Sequence, residues 1–415
     1  MTHKDMKRIL IHSLIFSPDG VSTAYLYNDI ALRLQERGYE VVVLTTTPHF
    51  NIVPEQVGKQ PMHWKVWGLC KESNYHGMRV LHVPQKKFKS TALRMLGFVY
   101  WHFVSFFIGL GIRHVDLILS PSPPLTIGLL NLWLARLKGC KVVYNVQEIY
   151  PDILKLKVGM ALKVLRWMER KVYNGSDAVT TIDKVFYDTI VGRFKEPSRL
   201  HIIPNFVDTE LYRQVDWKGR LDSTLFPDTD SIKLLYAGNI GHAQSWEPLI
   251  ELADRTRELN VEYIVIGEGA KRDYVASEIE RRGLKKLRLL PYQPRELMPA
   301  ILSYSDASFI FMAPKSDTDG FPSKVYTIMA CERPLLVLSG ENTPIVNFLK
   351  DKGCAKLITE QDFGKKVEEM VVWLRSVTRE ELKEMGRKGL AEIEAKYTKE
   401  KVTDMYVELV DTLTK

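Results

Sequence analysis

Short apolar runs alternate with amphipathic stretches along almost the whole chain. Residues 8–16 (RILIHSLIF), 39–46 (YEVVVLTT), 117–119, 142–146 and 178–181 are apolar and bounded by polar turns, which predicts buried strands. Between them, 25–38, 127–138 and 162–173 carry apolar residues at helical spacing. The alternation pauses around IIPNFVDTELY (202–212), and the polar, Asp-rich segment 216–230 reads as the passage between two domains. The pattern then restarts: IKLLYAGN (232–239), a helix from Pro248, VEYIVIGEG (261–269), a helix through Ile279, LRLLPY (287–292), ASFIFM (307–312), a helix from Ser323 and PLLVLSG (334–340). Residues 362–396 and 399–413 read as closing helices. Strands alternating with helices form a parallel sheet covered on both faces. The expected fold is therefore α/β, with two Rossmann-like domains, 1–205 and 206–397, whose parallel sheets face across a cleft; the final helix, about 398–415, is expected to pack back on the first domain.

Length supports two cores, because 415 residues exceed the roughly 250–300 that one core sustains. With 45% hydrophobic and 26% charged residues, the composition is that of a globular protein. Cys70, Cys140, Cys331 and Cys354 are widely separated and lack the paired spacing of zinc or redox sites, which points to a reducing compartment. The N-terminal apolar run is short and no small-residue cleavage site follows, so a first strand is expected there rather than a signal peptide. Net charge is +8, unevenly spread: residues 1–205 hold 27 Lys and Arg against 15 Asp and Glu, a net +12, while the remainder is net −4. The basic half faces something anionic. No nucleic-acid motif is present, so a membrane surface is expected and nucleic acid is not.

In open α/β sheets, ligands bind beyond the carboxyl ends of the strands, and four loops fall there. The turn 17–23, centred on Gly20, suits either an anion at a helix start or a capped turn. Tyr236-Ala237-Gly238-Asn239-Ile240-Gly241-His242-Ala243-Gln244 and Val265-Ile266-Gly267-Glu268-Gly269 are strand-to-turn passages where glycine lets a phosphate approach the backbone, and each also fits a tight turn alone. The loop 317–330 is the most informative. Asp319, Pro322, Ser323 and Lys324 lead into an apolar helix, so amide groups, helix dipole and ammonium converge on one point suited to a diphosphate. Thr327 lies one turn further, where a hydroxyl meets a sugar or ribose. The alternative is a capped core helix with a solvated Lys324. His12, His49 and His242 show no metal-ligand spacing.

The strings SPDGVSTAY, IPNFVDTELY, YAGNIGHAQ, VIGEGAKRDYV and FPSKVYTIMACERP, in this order, resemble glycosyltransferase family 4, of GT-B architecture, in the subgroup that makes capsular, colanic-acid or O-antigen polysaccharides. The resemblance implies retaining transfer from a nucleoside-diphosphate sugar, usually UDP-linked, without a cofactor or metal. It places Asn239, Gly241 and Gln244 by the diphosphate and sugar, Glu268, Tyr292 and Gln293 near the nucleoside, and Ser323 and Lys324 on the phosphates, with Gly20 closing the cleft from the other side; Gly267 and Pro322 join the expected donor-binding set. Two departures stand out: the family's Glu-x7-Glu pair is replaced by Asp319 and Thr327, and its Arg after the YAG turn by Asn239. Many relatives place a His-Asp pair where this chain has Gln147 and Glu148; Gln147 cannot act as a base, so Glu148 is the candidate for orienting or deprotonating the acceptor hydroxyl. Lys324 and Asp319 complete the expected catalytic set. Of two Asp-x-Asp strings, 228–230 reads as a solvated turn, and 317–319 falls where the family uses a carboxylate without metal.

The acceptor expected is a polyprenyl-diphosphate-linked saccharide. Lys86, Lys87, Lys89 and Arg94 precede LGFVYWHFVSFFIGLGI (96–112), an apolar stretch short of the ~20 residues that span a bilayer. It fits either a buried core helix or an interfacial anchor, and the basic cluster favours the anchor. The expected location is the cytoplasm, on the inner face of the membrane through 86–112. Two other readings stand beside this one: a nucleotide-sugar 2-epimerase on the same fold, and a non-catalytic nucleotide-sugar-binding scaffold subunit.

Overall fold

The computed structural model describes residues 6–49, 52, 54–85, 90–156, 158–314 and 321–415. The chain divides into two units: Met1–Asn205 together with Glu400–Lys415, and Phe206–Lys399.

The first unit begins β1 (Arg8–His12), α1 (Ser22–Glu36), β2 (Glu40–Thr46), α2 (Pro54–Lys59), β3 (His63–Lys65), β4 (Cys70–Tyr75), β5 (Met78–Val83) and α3 (Thr91–Gly111). It continues β6 (Leu117–Pro121), α4 (Leu125–Lys138), β7 (Lys141–Val146), α5 (Met160–Gly175), β8 (Ala178–Thr181), α6 (Lys184–Ile190) and β9 (Leu200–Ile202). The sheet order is β3-β4-β5-β2-β1-β6-β7-β8-β9, parallel except for the antiparallel pairs β3–β4 and β4–β5. Ile9, Leu10 and Ile11 are fully buried, as befits a central strand covered on both faces. The strand stops at His12, earlier than the apolar run through Phe16: Ser13 and Ile15 bond to each other there and turn the chain. Strands β3, β4 and β5 follow one another with no α-helix between them and supply an antiparallel edge that the alternation of strands and helices did not suggest.

α3 is a core helix on one side only. Trp101, Val104 and Ile108 pack into the core with Leu10, Leu44 and Leu134. On the opposite stripe Leu96, Val99 and Phe103 are each 64% exposed and Phe107 54%. Glycines bring the neighbouring helices close: a Cβ on Gly109 would stand 2.8 Å from Leu134, one on Gly128 2.7 Å from Val172, and one on Gly175 2.8 Å from Leu132. Helices α3, α4 and α5 thus form one packed layer.

The second unit runs β10 (Ile232–Ala237), α7 (Glu247–Arg255), β11 (Val261–Ile266), α8 (Arg272–Arg282), β12 (Leu287–Leu290), α9 (Met298–Tyr304), β13 (Ala307–Phe311), α10 (Lys324–Ala330), β14 (Leu335–Leu338), α11 (Pro344–Leu349), β15 (Ala355–Ile358), α12 (Phe363–Ser376) and α13 (Arg379–Lys396). Its sheet is parallel, in the order β12-β11-β10-β13-β14-β15. The Asp-rich segment 216–230 belongs to this unit rather than linking two: Leu221 and Phe226 are buried in its core and Trp217 stands edge-on to Tyr304. The stretch 362–396 is two helices, because Thr378 and Glu381 form a reciprocal capping box that starts α13. α14 (Lys399–Thr414) joins the first unit from Glu400 onward, where Asp404 accepts from Arg33 at 2.8 Å.

Candidate active site

At the carboxyl edge of the second unit's sheet, β10 and β11 end in register at Ala237 and Ile266, and both chains continue through glycine. The amide of Gly238 donates to Ile266 O at 2.9 Å and that of Ile240 to Glu268 O at 2.8 Å, so the two loops run as a pair. Gly238, Gly267 and Gly269 have φ of 150°, 142° and 153°, in the region that favours glycine. A side chain on Gly267 would collide with the carbonyl of Gly238, and one on Gly269 with that of Ile240. These glycines are needed for loop-on-loop contact.

Lys324, the first residue of α10, reaches into this double turn. Its Nζ donates to Ala237 O at 3.0 Å and lies 4.0 Å from the centroid of the Tyr236 ring. A Cβ on Gly238 would occupy the place of that ammonium. Burial is the cause that lowers its pKa from 10.5 to about 8. Lys324 is therefore a desolvated cation, not the solvated side chain of a capped core helix. The start of α10 is tighter than expected: the amides of Val325 and Tyr326 bond to Pro322 O and Ser323 O, at 3.0 and 3.2 Å, and Ser323 makes no side-chain cap. The Thr327 hydroxyl donates to Lys324 O at 2.9 Å, so its proton is committed to its own helix and only its lone pairs remain to meet a ribose or sugar.

The turn after Gly238 is fixed from three sides. Tyr236 donates to the carbonyl of Asn239 at 2.7 Å, and Trp246 Nε1 to that of Gly241 at 3.0 Å. Ala313 N bonds to Ala243 O at 3.0 Å, tying the turn to the end of β13. Within this frame the Oε1 of Gln244 is buried with no partner among the described residues, and its Nε2 has only Met312 Sδ, at 3.8 Å. A buried acceptor without a donor suits a ligand hydroxyl. Glu268 is exposed and lies 3.4 Å from Arg272; Tyr292, beyond β12, is 65% exposed, and Gln293 bonds to Pro291 O. Residues 315–320, including Lys315, Asp317 and Asp319, lie outside the described residues.

Two family models divide the chain between them: Glycosyltransferase Family 4 matches residues 24–211 and Glycosyl transferases group 1 matches 220–388. The chain is a family 4 glycosyltransferase of the GT-B fold. It is similar to the colanic acid biosynthesis glycosyl transferase WcaI of Escherichia coli K12, whose name is itself provisional, at 25% identity over 78% of this chain and 81% of the relative. In fold it is similar to sucrose-phosphate synthase from Thermosynechococcus elongatus (TM-score 0.73, 13% identity, 98% of this chain and 99% of that one). It is also similar to Anabaena HepE, solved in complex with UDP (TM-score 0.72, 12% identity, 98% and 100%).

In the first unit of this glycosyltransferase, Gly20 stands just before α1, next to buried Asp19, whose carboxylate accepts from the amide of His49 at 2.9 Å. Glu148 follows β7 in the loop that starts at Gln147, and its charge adds to burial in raising the Tyr150 phenol's pKa. Gln147 is held at both ends, donating to Asn145 Oδ1 at 2.8 Å and accepting from Asn205 at 3.0 Å. Asp152 is more than a helix cap: Arg166 and Arg193 each lie 2.9 Å from it, and together they outweigh burial and hold its carboxyl below the usual range. His12 is buried against Asn131, and burial lowers its pKa to about 4, so it is a neutral core residue. Asp228 and Asp230 are paired with Lys218 and Arg379, both at 2.6 Å, ahead of β10 and so at the opposite edge from Gly238. Among the described residues no three His, Cys, Asp or Glu side chains are grouped to hold a metal ion.

The sequence leaves Tyr236 without a role, and Gly238 and Gly269 read there as places of phosphate approach rather than of packing against Lys324 and Ile240. The YAG string contained the signal for the first two; the contact of Gly269 with Ile240 is long-range and has no local signature.

Proposed function

We propose that this glycosyltransferase moves a sugar, with retention, from a UDP-linked donor to a polyprenyl-diphosphate-linked saccharide in bacterial polysaccharide biosynthesis, without a metal. The observation that carries the donor half is the Lys324 ammonium, desolvated against Ala237 O and the Tyr236 ring and packed beside Gly238. Departure of the nucleoside diphosphate puts negative charge on the phosphate oxygens, and a fixed cation in a dry setting stabilises that charge without reorganising. Gln244 supplies the orphan acceptor for a hydroxyl of the transferred sugar. HepE, of the same fold, is solved in complex with UDP, which supports uridine as the base. In the first unit, Glu148 takes the role of orienting or deprotonating the acceptor hydroxyl. The exposed apolar stripe of α3, following the basic cluster at 86–94, supports a cytoplasmic enzyme on the inner membrane face.

The test is donor turnover with and without membrane lipid extract. Transfer of labelled sugar to a lipid-soluble product supports the reading. UDP release that yields an isomerised free sugar with no acceptor favours the epimerase, and UDP binding without any turnover favours the scaffold.

A further inference from the structure

The outer face of the helical layer in the first unit is apolar and basic well beyond α3. On α5, Met160, Val164 and Trp167 are 77%, 48% and 54% exposed. Their i, i+4, i+7 spacing sets them on one stripe. Lys163 and Arg170 flank that stripe, and Lys171 extends it, with its Nζ 6.0 Å from the Trp167 ring centroid. On α4, Trp133 and Leu137 are 63% and 66% exposed, one turn apart. Both helices lie in the same layer as α3, joined through Gly109, Gly128 and Gly175, so the outward stripes of all three look away from the sheet.

The charge on this layer is one-sided. Across α3, α4 and α5 there are seven Lys and Arg and a single carboxylate, Glu169. Glu169 is 1% exposed and paired with Arg166 and Arg193, so none of the three helices turns a negative charge outward; Asp152, outside them, is itself paired with Arg166. A second copy of the chain would set these cations against one another in a two-fold contact, which argues against self-association. Cations bordering exposed Trp and aliphatic side chains fit the headgroup and upper acyl region of an anionic bilayer. α3 itself is long and apolar enough to cross a membrane. Its Trp101–Ile108 stripe, however, is part of the core, so it lies along the layer instead of leaving it.

We propose that α4 and α5 form a second lipid-contact surface, continuous with α3, which seats the first unit on an anionic phospholipid bilayer through Trp133, Val164, Trp167, Lys163 and Arg170. This extends the membrane-association reading above, which rests on 86–112 alone, and it is independent of the transfer chemistry. The test is sedimentation of the full chain, with no donor or acceptor present, with phosphatidylcholine vesicles and with vesicles holding one quarter phosphatidylglycerol. Wild type pellets with the anionic vesicles. Lys163→Glu/Arg170→Glu weakens that partition on the order of 30-fold, and Val164→Ser/Trp167→Ser weakens it comparably, while UDP binding and thermal melting of both variants match wild type. Vesicle binding by both variants equal to wild type overturns the proposal, as does a lipid-free dimer in light scattering that Val164→Ser/Trp167→Ser dissociates. UDP binding is read on the same samples, so loss of the donor reading and loss of the lipid surface register separately.

Discussion

Lys324→Met is the most informative single change, because it separates the cost of a desolvated cation from its use. Met keeps most of the length and apolar bulk of the lysine stem and removes the ammonium. The fall of the Lys324 pKa from 10.5 to about 8 corresponds to roughly 3 kcal/mol by which the fold disfavours the charged form. The sign follows from proton counting. Between pH 8 and 10.5 the unfolded chain holds a proton that the folded chain has released, so wild-type stability rises with pH across that window, by up to about 3 kcal/mol. Lys324→Met lacks this rise. The second unit spans about 190 residues, so the difference amounts to roughly 6–12 °C in its transition. Calorimetric scans of both proteins at pH 7.5, 9 and 10.5 measure it, with the mutant subtracting every other titrating group. Donor addition at pH 7.5 gives the complementary result: wild type is stabilised by UDP and the mutant much less, while turnover falls by about 10²–10³. Identical pH slopes in the two proteins, or an unimpaired mutant turnover, would refute the account of a dry cation held for the leaving group.

Gly267→Ala places a methyl against the Gly238 carbonyl at a φ of 142°, and destabilises the second unit by on the order of 3 kcal/mol in urea unfolding; a loss under 1 kcal/mol would contradict the loop-on-loop packing. Gln244→Leu removes a buried orphan oxygen, so it raises the melting temperature of the free enzyme while weakening nucleotide-sugar binding about 5–10-fold, with UDP affinity little changed by titration calorimetry. Glu148→Gln lowers kcat by about 10² or more and leaves donor KM near wild type in steady-state kinetics; an unchanged kcat removes it from the acceptor step. His12 and His82 both have pKa values lowered by burial to about 4. The unfolded chain takes up protons between pH 6.5 and 4 that the fold refuses, so stability drops by up to about 3 kcal/mol for each as pH falls through that range, and denaturant titrations of His12→Gln show correspondingly less loss.

Most strands and the glycine-rich carboxyl edge of the second unit's sheet were readable from the chain, because a buried parallel strand ending in glycine leaves a strong local mark. The strings around Gly238, Gly267 and Lys324 fell at that edge as the alternation required. What local pattern does not carry is which of these residues touch. That Lys324 sits over Tyr236, or that Gly269 meets Ile240 through a gap no side chain could share, depends on pairings tens of residues apart. The Asp-rich segment 216–230 misled for a related reason. Its polarity is real, but two apolar residues, Leu221 and Phe226, suffice to bind it to the second core. Likewise 96–112 is apolar on both sides, and composition alone could not tell that one stripe meets Leu44 and Leu134 while the other stays uncovered.

The return of α14 to the first unit decides how the two units can be separated. Tyr406 reaches the buried Asn145 at 3.0 Å, and Asp404 ties Arg33 and Arg37 to the last helix, each at 2.8 Å. The polypeptide therefore passes between the units twice, at 205–206 and at 399–400, so separating them takes two cuts. A fragment that stops at Lys399 leaves Asn145, Arg33 and Arg37 without these partners, whereas 206–399 is one uninterrupted piece carrying all six strands of its sheet.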